Sequence, residues 1–215
     1  MQTNINKNKY TYPILQKITD HFSGKNKADL DNVYILTCQH LLEPQMKMFE
    51  LLVDFGIPKN NIHLFGKIYS TSNEILKEMK SVGFNVTQPT FDPDTSFDSE
   101  HKENCTKAFN DFLSDVNKPA RIIVIDDGGE LLKLINNKFD LLNGNLSVVG
   151  VEQTSSGFRK LENIDLKFPI FNVARSSIKL IKESPLIARL GCDRIVDAIN
   201  QYSVLDSRIL IVGLG

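Results

Sequence analysis

The sequence predicts an α/β fold of the doubly wound kind, a mostly parallel sheet with helices on both faces. Three observations predict it. Short, near-continuous apolar runs alternate with segments of helical period along most of the chain. The apolar runs lack the in–out alternation of a half-solvated sheet, which marks strands buried on both faces. Glycines close the helical segments, as Gly56 and Gly83 do.

Residues 1–32 are polar, with a short amphipathic helix predicted over 13–22. A β-rich apolar run at 33–38 opens the alternation. A helix over 43–55 follows, with Met48, Phe49, Leu52 and Phe55 at helical spacing. A second strand is expected at 61–65 and a helix over 73–82, through Ile75, Leu76, Met79 and Val82. A short strand at 84–86 leads into 87–101, rich in Pro, Asp and Ser and read as a loop. Asp92, Asp94, Asp98 and Glu100 fall here, but an oxygen-ligand calcium loop would need a glycine at its sixth position and no Pro93. Helical period returns over 103–116 through Cys105, Ala108, Phe109, Phe112, Leu113 and Val116. Residues 121–125 form the strongest strand signal so far and 130–142 a further helix. Further strands are predicted at 146–151, 168–173 and 209–212, with helices over 158–163 and 176–202.

Composition excludes several function classes. The chain of 215 residues, 41% apolar and 24% charged, has the balance of a soluble globular protein. A net charge of −1 argues against binding a phosphate backbone, so no nucleic-acid partner is expected. No apolar stretch approaches the roughly 18 residues that span a bilayer, and the polar start is no signal peptide. No membrane partner is therefore expected, and a cytoplasmic location is. Cys38, Cys105 and Cys192 are scattered, odd in number and without metal-ligand spacing, which fits a reduced intracellular protein with no metal site.

The chain ends in Arg208-Ile209-Leu210-Ile211-Val212-Gly213-Leu214-Gly215, an apolar strand running into a Gly-x-Gly turn. A dinucleotide-binding domain begins in this way, with a third glycine, a helix and an acidic ribose ligand to follow. The expectation is a chain that stops at a domain boundary. An apolar terminal strand without sheet neighbours would fold back, pair with a second copy as a homo-oligomer, or stay disordered.

In doubly wound sheets, ligands sit outside the carboxyl ends of the strands. The polar residues there are Gln39-His40, Ser70-Thr71-Ser72, Asp126-Asp127-Gly128-Gly129, Glu152-Gln153-Thr154-Ser155-Ser156-Gly157 and Asn172. This chemistry suits a hydroxyl-rich ligand. The paired carboxylates either bind ribose hydroxyls or a cation, or cap the helix at Glu130. Thr154, Ser155 and Ser156 either hold an amide or phosphate or form a plain Ser/Thr cap. His40 is either an acid/base near neutral pH or a structural histidine. Cys192 reads equally as a small buried filler.

The ordered set His40, Ile68-Tyr69-Ser70-Thr71, Asp126-Asp127-Gly128-Gly129-Glu130, Gly150-Val151-Glu152-Gln153-Thr154-Ser155-Ser156-Gly157, Phe168-Pro169-Ile170-Phe171-Asn172-Val173, Lys179 and Gly191-Cys192 resembles S-adenosylhomocysteine hydrolase. The likeness runs from about Tyr34 to Gly215. It implies an NAD-dependent hydrolase with a nucleoside substrate. The family oxidises the ribose 3′-hydroxyl, eliminates homocysteine, adds water and reduces the ketone again. It further implies an extension at 1–32, a substrate-binding-like domain at 33–190, and at 191–215 a connecting helix with the first strand of a truncated Rossmann domain.

Carried over residue by residue, His40 and Asp127 would be the acid/base pair near the leaving sulfur, and Lys179 would assist deprotonation of the 3′-hydroxyl. Gln153 and Glu183, with Asp127 and Lys179, would contact substrate. Thr154, Ser155, Ser156, Ser184, Cys192, Gly213 and Gly215 would face NAD. The chain departs from the family pattern at Gln153, where a Glu is usual, at Glu183, Ser184 and Leu42, and at Pro44. Gln can hydrogen-bond a hydroxyl but is not a charged acceptor. The alternative is a non-catalytic paralogue that binds a nucleoside or a partner without turnover. A substrate domain of the 2-hydroxyacid dehydrogenase type shares the architecture but leaves the Asp-Asp-Gly-Gly and Glu-Gln-Thr-Ser-Ser-Gly segments unexplained.

Overall fold

The computed structural model describes residues 12–22, 29–117, 119–142 and 145–202. The predicted strand at 209–212, with Gly213 and Gly215, lies outside them. The chain divides into two compact units, Met1–Asn172 and Val173–Gly215.

In the first unit, helix α1 (Pro13–Phe22) precedes strand β1 (Val33–Leu41), helix α2 (Glu43–Asp54), strand β2 (Ile62–Thr71), helix α3 (Asn73–Ser81) and strand β3 (Asn85–Thr87). Helix α4 (Phe97–Asp115) leads to strand β4 (Ala120–Asp126) and helix α5 (Glu130–Asn137). Strand β5 (Leu146–Glu152), helix α6 (Ser155–Leu161) and strand β6 (Ile170–Asn172) complete the unit. All six strands are parallel, in the order β3-β2-β1-β4-β5-β6.

The sheet is covered on both faces, which is what the uninterrupted apolar runs require. Met46 and Phe49 of α2 and Leu76 and Met79 of α3 pack on Val33, Ile35, Ile62 and Leu64. On the other face Cys105, Phe109 and Phe112 of α4, Leu131, Leu132 and Ile135 of α5 and Leu161 of α6 pack on Tyr34, Leu36, Cys38, Val124 and Val148. Alternate residues of β1 thus serve opposite cores, so both must be apolar. The chain order reverses between β1 and β4, which makes the gap between their carboxyl ends a topological switch point.

Several elements differ in extent from the sequence reading. Helix α4 begins at Phe97, inside the stretch read as loop, because Ser96 caps it by accepting the Ser99 N–H. Buried Glu100 then accepts the Asp92 N–H at 2.8 Å and closes the preceding turn. Strands β1 and β2 run past their predicted ends into the polar rim. Their pairing is in register to Gln39 and Gly66, then resumes at Leu41 and Thr71. One residue of β1, His40, therefore faces a four-residue excursion of β2, Lys67-Ile68-Tyr69-Ser70. Thr71 Oγ1 closes it by donating to the Lys67 carbonyl at 2.7 Å. A Cβ on Gly66 would lie 2.3 Å from Thr71 Oγ1 and 2.9 Å from Leu41 Cδ1, so the excursion closes only over glycine.

The second unit holds a 3₁₀ turn at Val173–Arg175, a π-helical turn at Lys179–Glu183 and helix α7 (Ser184–Tyr202). The sequence predicts one regular helix here. Pro185 has no N–H and its ring crowds the preceding turn; Ser184 N–H instead reaches the Lys179 carbonyl, the wider π spacing. Leu186, Ile187, Leu190 and Val196 of α7 are exposed. Among the described residues no helix is long and apolar enough to cross a membrane.

Candidate functional site

The rim formed by the ends of β1, β2, β4 and β5 gathers a compact polar cluster. Lys67 Nζ lies 2.7 Å from Asp127 Oδ1, and His40 Nε2 lies 3.4 Å from Asp127 Oδ2. His40 Nδ1 hydrogen-bonds Ser70 Oγ. A carboxylate only accepts, so the favoured neutral tautomer carries its proton on Nε2 towards Asp127 and accepts from Ser70 at Nδ1. Tyr69 packs edge-on against the His40 ring and lies under the Lys67 ammonium, 5.8 Å away.

Burial alone would push the Lys67 ammonium down. Its hydrogen bond to Asp127 and the charge of that carboxylate outweigh burial and hold its pKa above the ordinary value. Lys67 is 6% exposed, and its Nζ also reaches the Tyr69 hydroxyl at 3.4 Å.

The two carboxylates of the Asp126-Asp127 pair part company. Asp126 is fully buried, and its Oδ2 accepts the Leu132 N–H of α5 at 2.9 Å. It braces the start of that helix, while Asp127 faces the rim. Burial first, and then the charge of Glu152, push the Asp126 carboxyl well above its ordinary value. Glu152 is its register partner on β5. Glu152 Oε1 accepts the Thr154 N–H at 2.8 Å, the Thr154 hydroxyl at 2.7 Å and the Gly128 N–H at 3.2 Å. Burial nonetheless raises its pKa. Gly157 makes room for this carboxylate, since a Cβ there would fall 2.2 Å from Glu152 Oε1.

Thr154 is the N-cap of α6, accepting the Gly157 N–H at 3.0 Å. Its hydroxyl is thus engaged on both sides, and the cap reading describes it. Ser155 and Ser156 are exposed beside it, and Gln153 is half-buried at the same strand end. In the second unit Lys179 Nζ pairs with Glu183 Oε2 at 3.2 Å, and Ser184 Oγ donates to the Lys179 carbonyl at 3.0 Å. Cys192 is exposed on α7 and not the small buried filler of the structural alternative. Gly213 and Gly215 lie outside the described residues.

Sequence reasoning does not single out Lys67 or the role of Glu152. A lysine in the run Phe65-Gly66-Lys67-Ile68-Tyr69 looks like an outward strand residue; only Gly66 hints at the excursion that turns it to the rim. It also takes the cysteines as scattered. The fold brings Cys38 of β1 and Cys105 of α4 together with His101, all three buried. The neighbouring Cys105 and burial push the Cys38 thiol up, while Cys38 and His101 push Cys105 down.

No family model matches the chain. It is 32% identical over 211 residues to proteins of Mycobacterium tuberculosis strains CDC 1551 / Oshkosh and H37Rv, both described as uncharacterized. The matches cover 95% of this chain and 40% of each relative, so the chain spans well under half the length of the curated relatives it matches. The fold and the rim define a doubly wound α/β unit with an acid–base cluster at its switch point.

Proposed function

We propose that this chain is the substrate-domain portion of a divergent adenosylhomocysteinase-like protein that acts on S-adenosylhomocysteine or a related nucleoside thioether. One observation carries the reading. A histidine of β1 and a carboxylate just after β4 meet 3.4 Å apart at the switch point, where doubly wound sheets bind ligands. A proton can pass between His40 and a leaving or entering group there, with Asp127 stabilising the imidazolium form. Lys67 Nζ, 2.7 Å from Asp127 Oδ1, fixes the orientation of that carboxylate, so it can serve His40 or accept from a ribose hydroxyl.

NAD, when bound, would supply reversible oxidation of the ribose 3′-hydroxyl, which acidifies the adjacent carbon. Of the chain's residues, exposed Ser155 and Ser156 present hydroxyls that suit a carboxamide, Ser156 Oγ lying 3.3 Å from Thr154 Oγ1, whereas Thr154 is held by its own cap.

Titration with adenosine, followed by amide NMR, tests the reading. Amides of 126–129 and 154–157 should shift, weakly and saturably, and the shifts should vanish in Asp127→Asn. Saturating adenosine that moves none of them would remove the ribose site from the proposal.

A further inference from the structure

The face of the sheet opposite α2 and α3 carries a second cluster that the rim chemistry does not use. Cys38 and Cys105 are fully buried and His101 is 8% exposed. The two Sγ atoms and a ring nitrogen of His101 all lie within 4.8 Å of one another. His101 and Cys105 are four residues apart on α4, so they share one helix face, and Cys105 Sγ is 3.8 Å from His101 Nε2. In a tetrahedral zinc site a sulfur and an imidazole nitrogen stand roughly 3.6 Å apart, from bond lengths of about 2.3 and 2.0 Å. A contraction of a few tenths of an ångström along α4, and at most about 1 Å at Cys38, would close the set on one ion.

The imidazole is already held. It stacks on Phe65, at 6.1 Å and 22°, and on Phe97, at 5.7 Å and 12°, which fixes its plane, with Nε2 towards Cys105. Two buried polar atoms in and beside the cluster have no hydrogen-bond partner among the described residues: His101 Nδ1, and Oδ1 of Asp126, the register partner of Cys38 on the same face.

We infer that Cys38, Cys105 and His101 form a zinc site within the core of the first unit. Two thiolates balance the double charge of Zn²⁺, so the site is neutral, which is the arrangement a dry interior tolerates. Thiolate and imidazole ligands favour this ion over Mg²⁺ or Ca²⁺. The ion would tie α4 to β1 beneath the rim, a structural role separate from the acid–base cluster.

The test uses the reduced full chain, stripped with a chelator and titrated with Zn²⁺ or Co²⁺ alone. One ion per chain should be retained on dialysis. The cobalt form should show thiolate-to-metal charge-transfer absorption, and Zn²⁺ should raise the melting temperature. Cys105→Ser and His101→Gln should each weaken binding at least about 10-fold, while Cys192→Ser leaves it unchanged. Circular dichroism checks that each variant folds; should Cys105→Ser fail to, His101→Gln and the wild-type cobalt spectrum decide. No retained ion, a cobalt spectrum without charge transfer, or binding lost with Cys192→Ser would overturn the site.

Discussion

Lys67 of β2 and Asp127 after β4 meet across the end of β1, with 2.7 Å between Nζ and Oδ1. The strand between them supplies His40, which reaches the other oxygen of the same carboxylate. Three strand ends are thereby joined through one side chain. An ion pair this enclosed is costly to break from one side, because the remaining charge stays desolvated.

Lys67→Met and Asp127→Asn should each destabilise the fold by about 3 kcal/mol, read by urea unfolding. The double variant should lose clearly less than the sum, since neither charge is then stranded. Strict additivity would mean that the pair contributes nothing as a pair.

Gly66→Ala should cost about 1–3 kcal/mol, the range for forcing an extra carbon into a filled site. The Thr71 hydroxyl and Leu41 already occupy the space a Cβ needs. Amide shifts in the variant should spread through 67–71 and His40 and spare β5. A melting temperature equal to that of the parent would show that the excursion has more slack than its geometry indicates.

Asp126 makes a pH prediction whose sign follows from burial. Its folded pKa lies well above the ordinary 3.8, so between those values the folded protein holds a proton that the unfolded chain releases. Stability should therefore fall as pH rises through that window and recover on acidification. The raised carboxyl of Glu152 acts in the same direction. Asp126→Asn keeps an acceptor for the Leu132 N–H without the charge. It should be at least as stable as the parent at neutral pH and show a flatter profile, measured by chemical unfolding across pH. A steeper profile would contradict the assignment.

The isolated chain should release no thiol from S-adenosylhomocysteine in the presence of NAD. The chain spans 40% of the length of the relatives it matches, and the proposed turnover is read for the whole protein. Steady thiol release by the purified chain would refute this.

The architecture was legible in the sequence because it rests on local signals. Apolar runs such as Ile122-Ile123-Val124 and helical periods such as Leu76–Met79 are read without knowing what they pack against. The candidate rim was legible as far as strand ends are, which brought out His40 and Asp127 together with residues that have structural duties, Asp126 and Thr154 among them. Lys67 escaped because its direction depends on a four-against-one mismatch between neighbouring strands, and Cys38 because only topology carries it to His101 and Cys105. The π turn before Ser184 escaped for a similar reason: apolar periodicity does not register one extra residue in a turn.

Glu152 has a consequence for the timing of motion at the rim. One carboxylate oxygen receives the amides of Gly128 and Thr154, which belong to two different loops. Any movement of the Glu152 carboxylate releases both anchors at once, so the two should open together when it moves. Deuterium should then enter both amides at a common rate, and Glu152→Gln should accelerate them together. A ligand that seats on the Gly128 side would slow exchange at Thr154 without touching it.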